Sequence, residues 1–135
     1  MAFLVWTEKF SVAVMELDNH HQRLFMLVNE WQEAMNHETN SEDILNAYEQ
    51  LIKYSRYHFS AEEEYLICNN YPHYREHKKL HDGFLERLME IYIPLHQEEK
   101  PLLSEVFYFV REWLLNHTLI VDQKYRCYLD LLKIR

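Results

Sequence analysis

Apolar side chains recur at helical spacing through four long stretches of this 135-residue chain. In the first stretch, the residues that share one face are separated by three or four positions: Leu17, His21, Leu24, Val28, Trp31 and Met35. Such spacing forms one apolar stripe along an α-helix. The chain has one glycine and three prolines, whereas sheets joined by tight hairpins usually need several glycines. The pattern therefore predicts an all-α protein.

The breaks between these stretches predict the bounds of four helices. The predicted helices are 17–37, 41–68, 72–94 and 101–132. Residues 1–16 are expected to form an N-terminal arm that packs on the domain through apolar side chains. Pro72 and Pro101 suit the first turn of a helix, and Pro94 is expected to end or kink the third. Short connections indicate an up-down-up-down four-helix bundle, and the chain, 1–135, is interpreted as one domain.

The charge balance excludes some classes of partner. Fourteen basic residues against 22 acidic ones give a net charge of −8, which argues against nucleic acid because its phosphates reward clustered Lys and Arg. The apolar run near the start, residues 2–6, is too short for membrane insertion or for a signal peptide. Cys68 and Cys127 lack zinc or haem spacing and are interpreted as reduced core thiols. We therefore expect a cytoplasmic monomer.

Histidines lie on the apolar stripes of all four predicted helices, and the second stripe also carries Glu62. Burying an unpaired carboxylate costs several kcal/mol, and each unbonded imidazole costs about 1–3 kcal/mol. A single inward histidine is more often an ordinary core residue than a metal ligand. The joint pattern over four helices instead favours a metal centre, because one centre satisfies all of these groups together.

The spacing of these groups fits chelation. Two pairs lie one helical turn apart on a shared face: His58 with Glu62, and His77 with His81. His117 and Asp122 are five residues apart, roughly 140° around an α-helix, so they are expected to flank the inner face.

Two neighbouring histidines compete for these positions. His73 is also four residues from His77, but the helix phase places His73 in an exposed first turn. His20 lies about 100° from the stripe that His21 occupies. His21 and His77 are therefore the predicted inward residues.

These motifs resemble those of the hemerythrin family, in its single-domain bacterial form, over nearly the whole chain. The family pattern of His, His-x-x-x-Glu, His-x-x-x-His and His-x-x-x-x-Asp is filled by His21, His58, Glu62, His77, His81, His117 and Asp122. The flanking residues 18–25 and 58–63 resemble the family as well. The resemblance implies two iron ions with an oxo or hydroxo bridge. It also implies reversible dioxygen binding for carriage, storage or delivery, without net reaction, and hence a protein that is not an enzyme.

The resemblance further implies a role for each position. One iron takes His77, His81 and His117, the other takes His21 and His58 and keeps an open position, and Glu62 and Asp122 bridge the two irons. Residues expected to line the oxygen pocket are Phe25, Phe59, Leu114 and Thr118. Trp113 and Tyr125 are expected to support the ligands, although ordinary core packing explains them as well.

Four positions depart from the family pattern, and one of them is Leu66, which stands where methionine is common. Thr118 stands where the family usually has a bulky aliphatic residue, and its hydroxyl is expected to bond the bound oxygen species or to admit water. We therefore hypothesise faster autoxidation, or some peroxidase activity, relative to a Thr118→Ile variant. Ala13 and Asn70 stand where glycine is common.

Other functions remain open at this point. The main alternative is a di-iron enzyme or sensor on the same site: a peroxidase, a ferroxidase or a nitric-oxide-handling protein. A ferritin-like enzyme is disfavoured because no Glu-x-x-His motif occurs. A structural zinc site fits poorly because zinc prefers four tetrahedral ligands. The sequence does not exclude copper or manganese, and it does not identify a protein that receives the oxygen.

Overall fold

Helices dominate the computed structural model, which describes residues 4–37, 41–96 and 103–134. Its elements are a short 3-10 turn (Glu8–Phe10), α1 (Met15–Asn36), α2 (Ser41–Cys68), α3 (Tyr74–His96), α4 (Leu103–Asn116), a π-helical turn (His117–Val121) and α5 (Asp122–Ile134). Within these described ranges no residue forms a β-strand. The all-α prediction is confirmed.

The helices form a four-helix bundle, as predicted. Helix α2 packs against α1 and α3, and α4 packs against α1. The fourth member is not one α-helix, because the π-helical turn, called the π-turn below, joins α4 to α5.

Several helix bounds differ from the predicted ones. Helix α1 begins at Met15, two residues before the predicted start, and α3 begins at Tyr74 because Pro72 lies in the turn that precedes it. Helix α3 continues two residues past Pro94 to His96. A proline removes a single backbone donor, and here the helix ends soon after that loss. Pro101 lies outside the described residues.

The arm packs on the bundle through both its backbone and its side chains. The Leu4 N–H donates to Asn29 Oδ1 and the Asn29 amide donates to the Leu4 carbonyl, each at 2.7 Å. The side chains of Leu4, Phe10 and Val12 are buried. The predicted packing is therefore present in the part of the arm that precedes Met15 and follows residue 3, although Val5 faces solvent. Residues 1–3 of the predicted arm lie outside the described residues.

Two aromatic and aliphatic clusters form the core. The larger one surrounds Trp31, which is fully buried and packs against Tyr48 and Phe107. The smaller one includes Leu66 and Tyr125. The buried histidines and acids contact side chains of both clusters.

The two cysteines are exposed, so the prediction of core thiols is wrong. Cys68 is the last residue of α2, where the bundle ends. Cys127 follows the fully buried Tyr125 by two residues. Two residues are about 200° around a helix, so Cys127 lies on the opposite face. In the described part of the chain, none of the helices is long and apolar enough to cross a membrane.

Two described residues other than glycine have positive φ: Ala13, at 59°, and Asn70, at 55°. These are the two positions where the resemblance leads us to expect glycine. Glycine adopts this conformation at no steric cost, asparagine tolerates it, and alanine is strained by its Cβ. The chain turns sharply at both positions, just before α1 and just before α3.

Candidate metal centre

The structure brings all seven predicted ligands together in the interior, where none is more than 4% exposed. Six of them form two groups in which one ligand atom from each residue lies within 4.8 Å of the others. The groups are Glu62 with His77, His81 and His117, and Glu62 with His21 and His58.

Glu62 belongs to both groups and presents one carboxylate oxygen to the histidines of each. Its Oε1 is 2.7 Å from His77 Nε2 and 3.1 Å from His81 Nε2. Its Oε2 is 3.2 Å from Nε2 of both His21 and His58. A carboxylate placed in this way is suited to bridge two cations.

Asp122 has the same relationship to both groups. Its Oδ1 is 3.2 Å from His77 Nε2 and 3.1 Å from His117 Nε2, and its Oδ2 is 3.3 Å from His21 Nε2. Both oxygens are nevertheless buried without a hydrogen-bond partner. Buried carboxylate oxygens are normally bonded or coordinated, so this pair fits a metal ion.

The arrangement of the imidazole rings also suits a metal ion. His81 Nε2 lies 3.0 Å from His117 Nε2, so two ring nitrogens face each other. They need either a shared proton or a metal that both bind. Imidazole and carboxylate ligands suit iron, whereas seven converging ligands exceed the four that structural zinc prefers.

The π-turn explains how the last two groups share a face. The Asp122 N–H donates to the His117 carbonyl, five residues back instead of four. This wider turn brings residues five apart to the same side, so His117 and Asp122 both face inward. The expectation that they flank the inner face 140° apart is wrong, because it assumed an uninterrupted α-helix. Single π-helical turns occur frequently at functional sites.

The electrostatics favour ionised carboxylates. Burial acts to raise the pKa of Glu62, but the imidazoles of His58, His21 and His77 hold that pKa well below its usual value. The pKa of Asp122 is also below its usual value. Burial and the charge of Glu62 act to raise this pKa, but the imidazole of His117 lowers it by more. Two negative charges are thus buried at the centre, and such charges require compensation.

The pKa values of the imidazoles differ according to what surrounds each ring. Burial lowers the pKa of His58 to about 4. Burial also acts to lower the pKa of His77, but Asp122 and Glu62 raise it to about 10. Metal binding on the His77 side must therefore displace protons, as expected when imidazole ligands coordinate in the neutral form.

Aromatic side chains contact two of the predicted ligands, His117 and Glu62. Trp113, predicted to support the ligands, stacks on His117 with centroids 4.4 Å apart and planes 10° apart. Phe84 stacks on the other side of Trp113, at 4.0 Å. Tyr125, the second predicted support, is fully buried and donates its hydroxyl to Glu62 Oε2 at 3.0 Å.

The four predicted pocket residues, Phe25, Phe59, Leu114 and Thr118, are all buried. Phe59 stacks on His81, whereas Phe25 packs edge-on against Phe10 of the arm. The Thr118 hydroxyl donates to the Leu114 carbonyl at 2.7 Å. Its proton is therefore engaged by the helix backbone.

Sequence reasoning missed two contacts with the ligands. Glu63 Oε2 accepts a hydrogen bond from His81 Nδ1 at 2.7 Å. His20 is buried, and its Nδ1 lies 3.1 Å from His58 Nδ1. Each residue is next to a predicted ligand and about 100° from the inward stripe, so no periodic signal marked either one.

Comparisons with known proteins agree with this geometry. The family described as "Hemerythrin HHE cation binding domain" matches residues 12–129. The chain is 29% identical to a bacteriohemerythrin of Clostridium acetobutylicum over 125 residues, which are 90% of this chain and 97% of that protein. It is 30% identical to a hemerythrin of Sipunculus nudus over 122 residues, 90% of each chain.

Solved structures extend the similarity to the fold. A wild-type hemerythrin superposes with a TM-score of 0.85 at 29% identity, covering 92% of this chain and 95% of that one. A leucine-to-alanine variant of a hemerythrin gives a TM-score of 0.86 at 28% identity, covering 93% of this chain and 95% of the other. With the family match extending over most of the sequence, and with the buried cluster in place, the chain belongs to the hemerythrin family.

Proposed function

We propose that this protein binds dioxygen reversibly at a non-haem di-iron centre. One observation carries the proposal. Glu62 and Asp122 each direct one carboxylate oxygen at one group of imidazoles and the other oxygen at the second group. The proposed ligands are His21, His58, Glu62, His77, His81, His117 and Asp122.

The two groups suggest how the irons are divided. One iron is held by His77, His81 and His117, and the other by His21 and His58. Glu62 and Asp122, which each present one oxygen to either group, would hold both irons. The group with two histidines offers fewer protein ligands and would leave room for dioxygen.

The ligand set favours binding over oxidation of a substrate. When bound, the iron pair supplies the electrons that hold dioxygen and recovers them on release. Five neutral imidazoles and two carboxylates donate little negative charge, which keeps the ferrous state accessible.

The protein contributes a dry environment. Phe59 is 2% exposed and places apolar surface beside His81 and His117, and Leu114 is equally buried. Excluding water from the centre suppresses proton leakage and loss of the oxidised product. We infer that this surface protects the reversibility of oxygen binding.

The alternative is an enzyme or sensor at the same centre, such as a peroxidase, a ferroxidase or a nitric-oxide-handling protein. Thr118 supplies the hydroxyl predicted in the oxygen pocket, and it donates its proton to the Leu114 carbonyl. That hydroxyl is not a ready proton donor for turnover. This contact supports the proposal that the protein is not an enzyme.

Oxygen uptake by the full chain tests the proposal. The metal-free protein is loaded with ferrous iron under anaerobic conditions and then titrated with dioxygen in a closed electrode cell. We expect two irons per chain, and one dioxygen taken up per chain and recovered when the pressure falls. Continued oxygen consumption with an added reductant would instead support an enzyme.

We also propose that the protein is a cytoplasmic monomer. Both cysteines are free thiols, as is usual in a reducing compartment, and a net charge of −8 disfavours self-association. Light scattering and cell fractionation test these two statements. A stable dimer, or recovery outside the cytoplasm, would contradict them.

A further inference from the structure

The side chain of Gln123 joins the N-terminal arm to the π-turn. Its Nε2 donates to the Thr118 carbonyl at 3.1 Å and to the Ser11 carbonyl at 3.2 Å, and it lies 3.5 Å from the Phe10 carbonyl. One amide group thus connects two segments that are more than one hundred residues apart in sequence.

Hydrogen bonds to α1 and to α5 hold the arm at the residues that Gln123 contacts. The Ser11 hydroxyl donates to Asp18 Oδ2 at 2.6 Å, and the Val12 N–H donates to Asp18 Oδ1 at 2.8 Å. Arg126 donates to the Ser11 carbonyl at 2.7 Å. The arm therefore ties α1, which carries His21, to α5, which begins at Asp122.

Gln123 binds the Thr118 carbonyl, and the π-turn changes which backbone N–H is available to that carbonyl. In an α-helix the Asp122 N–H would donate to the Thr118 carbonyl, four residues back. In this structure it donates to the His117 carbonyl, and the Gln123 side chain donates to Thr118. The Gln123 contact thus stabilises the local arrangement that turns Asp122 toward the other ligands.

We propose that Gln123 is a positioning residue that keeps Asp122 in the metal centre by tying the arm to the π-turn. Without this tie, a shift of the turn to α-helical geometry would place Asp122 roughly 140° from His117 around the helix. The inference rests on the proposed function, because it assumes that Asp122 is a ligand.

Three variants of the full chain separate this role from a general loss of stability. Gln123→Ala removes the donor, and Gln123→Glu keeps the length but offers only acceptors. Gln123→Lys restores a donor on a longer, flexible side chain and is expected to rescue the contact. The control is Gln22→Ala, since Gln22 is exposed and lies next to His21.

The first readout needs no metal. Hydrogen exchange followed by mass spectrometry on the metal-free protein reports the opening of residues 117–122. We expect exchange there to become about tenfold faster in Gln123→Ala and Gln123→Glu, with the peptides of α2 and α3 unchanged. Wild-type exchange in both variants, or an equal increase in all helices, would overturn the proposal.

The second readout is the release of ferrous iron into excess chelator. We expect about tenfold faster release from Gln123→Ala and Gln123→Glu, and release close to the wild-type rate from Gln123→Lys and Gln22→Ala. Unchanged release from the first two variants would overturn the positioning role. Failure of the wild-type chain to take up two irons would contradict the proposed function instead, while the exchange result would still report whether Gln123 holds the turn.

Discussion

The ring of Phe59 lies flat on the imidazole of His81, with centroids 3.9 Å apart and planes within 5°. The edge of the same imidazole is held by Glu63, which accepts from Nδ1 at 2.7 Å. Nε2 is thereby left to face Glu62 and His117. Phe59 and Glu63 thus fix the orientation of His81 from two sides, which lowers the cost of assembling the centre.

Replacing Glu63 by Gln should weaken metal binding. The hydrogen bond from His81 would lose its charged acceptor, and losses of this kind typically cost 10- to 100-fold in metal affinity. Competition with a ferrous chelator measures the affinity. Glu64→Gln is the matched control, because Glu64 is the next residue in sequence and is exposed. Equal affinities for the two variants would contradict a role for Glu63.

His77→Ala should remove most of the bound iron, whereas His73→Ala should not. His77 is 2% exposed and lies 2.7 Å from Glu62, while His73 is exposed one turn earlier. Iron per chain after desalting is the measurement. Iron loss from the His73 variant with retention in the His77 variant would overturn the assigned helix register.

Removing the metal should lower the melting temperature. Without a cation the centre buries two ionised carboxylates among imidazoles, with both Asp122 oxygens unbonded. A ligand that binds only the folded state stabilises it by about 2.7 kcal/mol at one hundred times its dissociation constant. Calorimetry of the iron-loaded and metal-free proteins tests this. Identical melting temperatures would show that the cluster does not need a cation.

Thr118→Ile should slow autoxidation, and Thr118→Val should leave it unchanged. The hydroxyl of Thr118 is engaged by the Leu114 carbonyl, so the structure attributes any effect to side-chain volume rather than to hydrogen bonding. Valine keeps the volume and removes the hydroxyl, whereas isoleucine adds a methylene at the residue that follows His117. Decay of the oxygenated absorption band measures the rate. A large change in the valine variant would restore the role first assigned to the hydroxyl.

Ala13→Gly should stabilise the protein by about 0.5–1 kcal/mol. A residue with a Cβ at positive φ destabilises the folded state by about 1–2 kcal/mol. Glycine removes this strain, but its greater chain entropy in the unfolded state offsets about 0.5–1 kcal/mol of the gain. Asn70→Gly should gain less, since asparagine tolerates this conformation. Denaturant unfolding is the measurement. Ala47→Gly, inside α2, serves as the control and should destabilise.

The sequence predicted the inward position of those proposed ligands whose helices are regular. His58 with Glu62, and His77 with His81, are each one turn apart in unbroken α-helices, so periodicity alone placed them on inward faces. Positions that depend on a departure from α-helical geometry were harder to predict. The inward direction of Asp122 depends on a π-turn, and a period of 3.6 residues contains no signal for that turn.

The contacts around the ligands were harder still to predict. His20 and Glu63 are each adjacent to an inward residue, and it is the packing of the neighbouring helix that places His20 against His58 and Glu63 against His81. Such contacts depend on the rotation and separation of two helices, which a single stripe does not specify. The resemblance to a family supplied the proposed ligand positions but not these partners.

The most direct test of reversible oxygen binding is the visible absorption spectrum of the reduced, iron-loaded protein through several cycles of oxygen admission and evacuation. We expect an absorption band that appears with oxygen, disappears under vacuum and returns with the same intensity in each cycle. Conversion to a ferric spectrum that evacuation does not reverse, with peroxide released or consumed, would contradict reversible binding and favour an enzyme at the same centre.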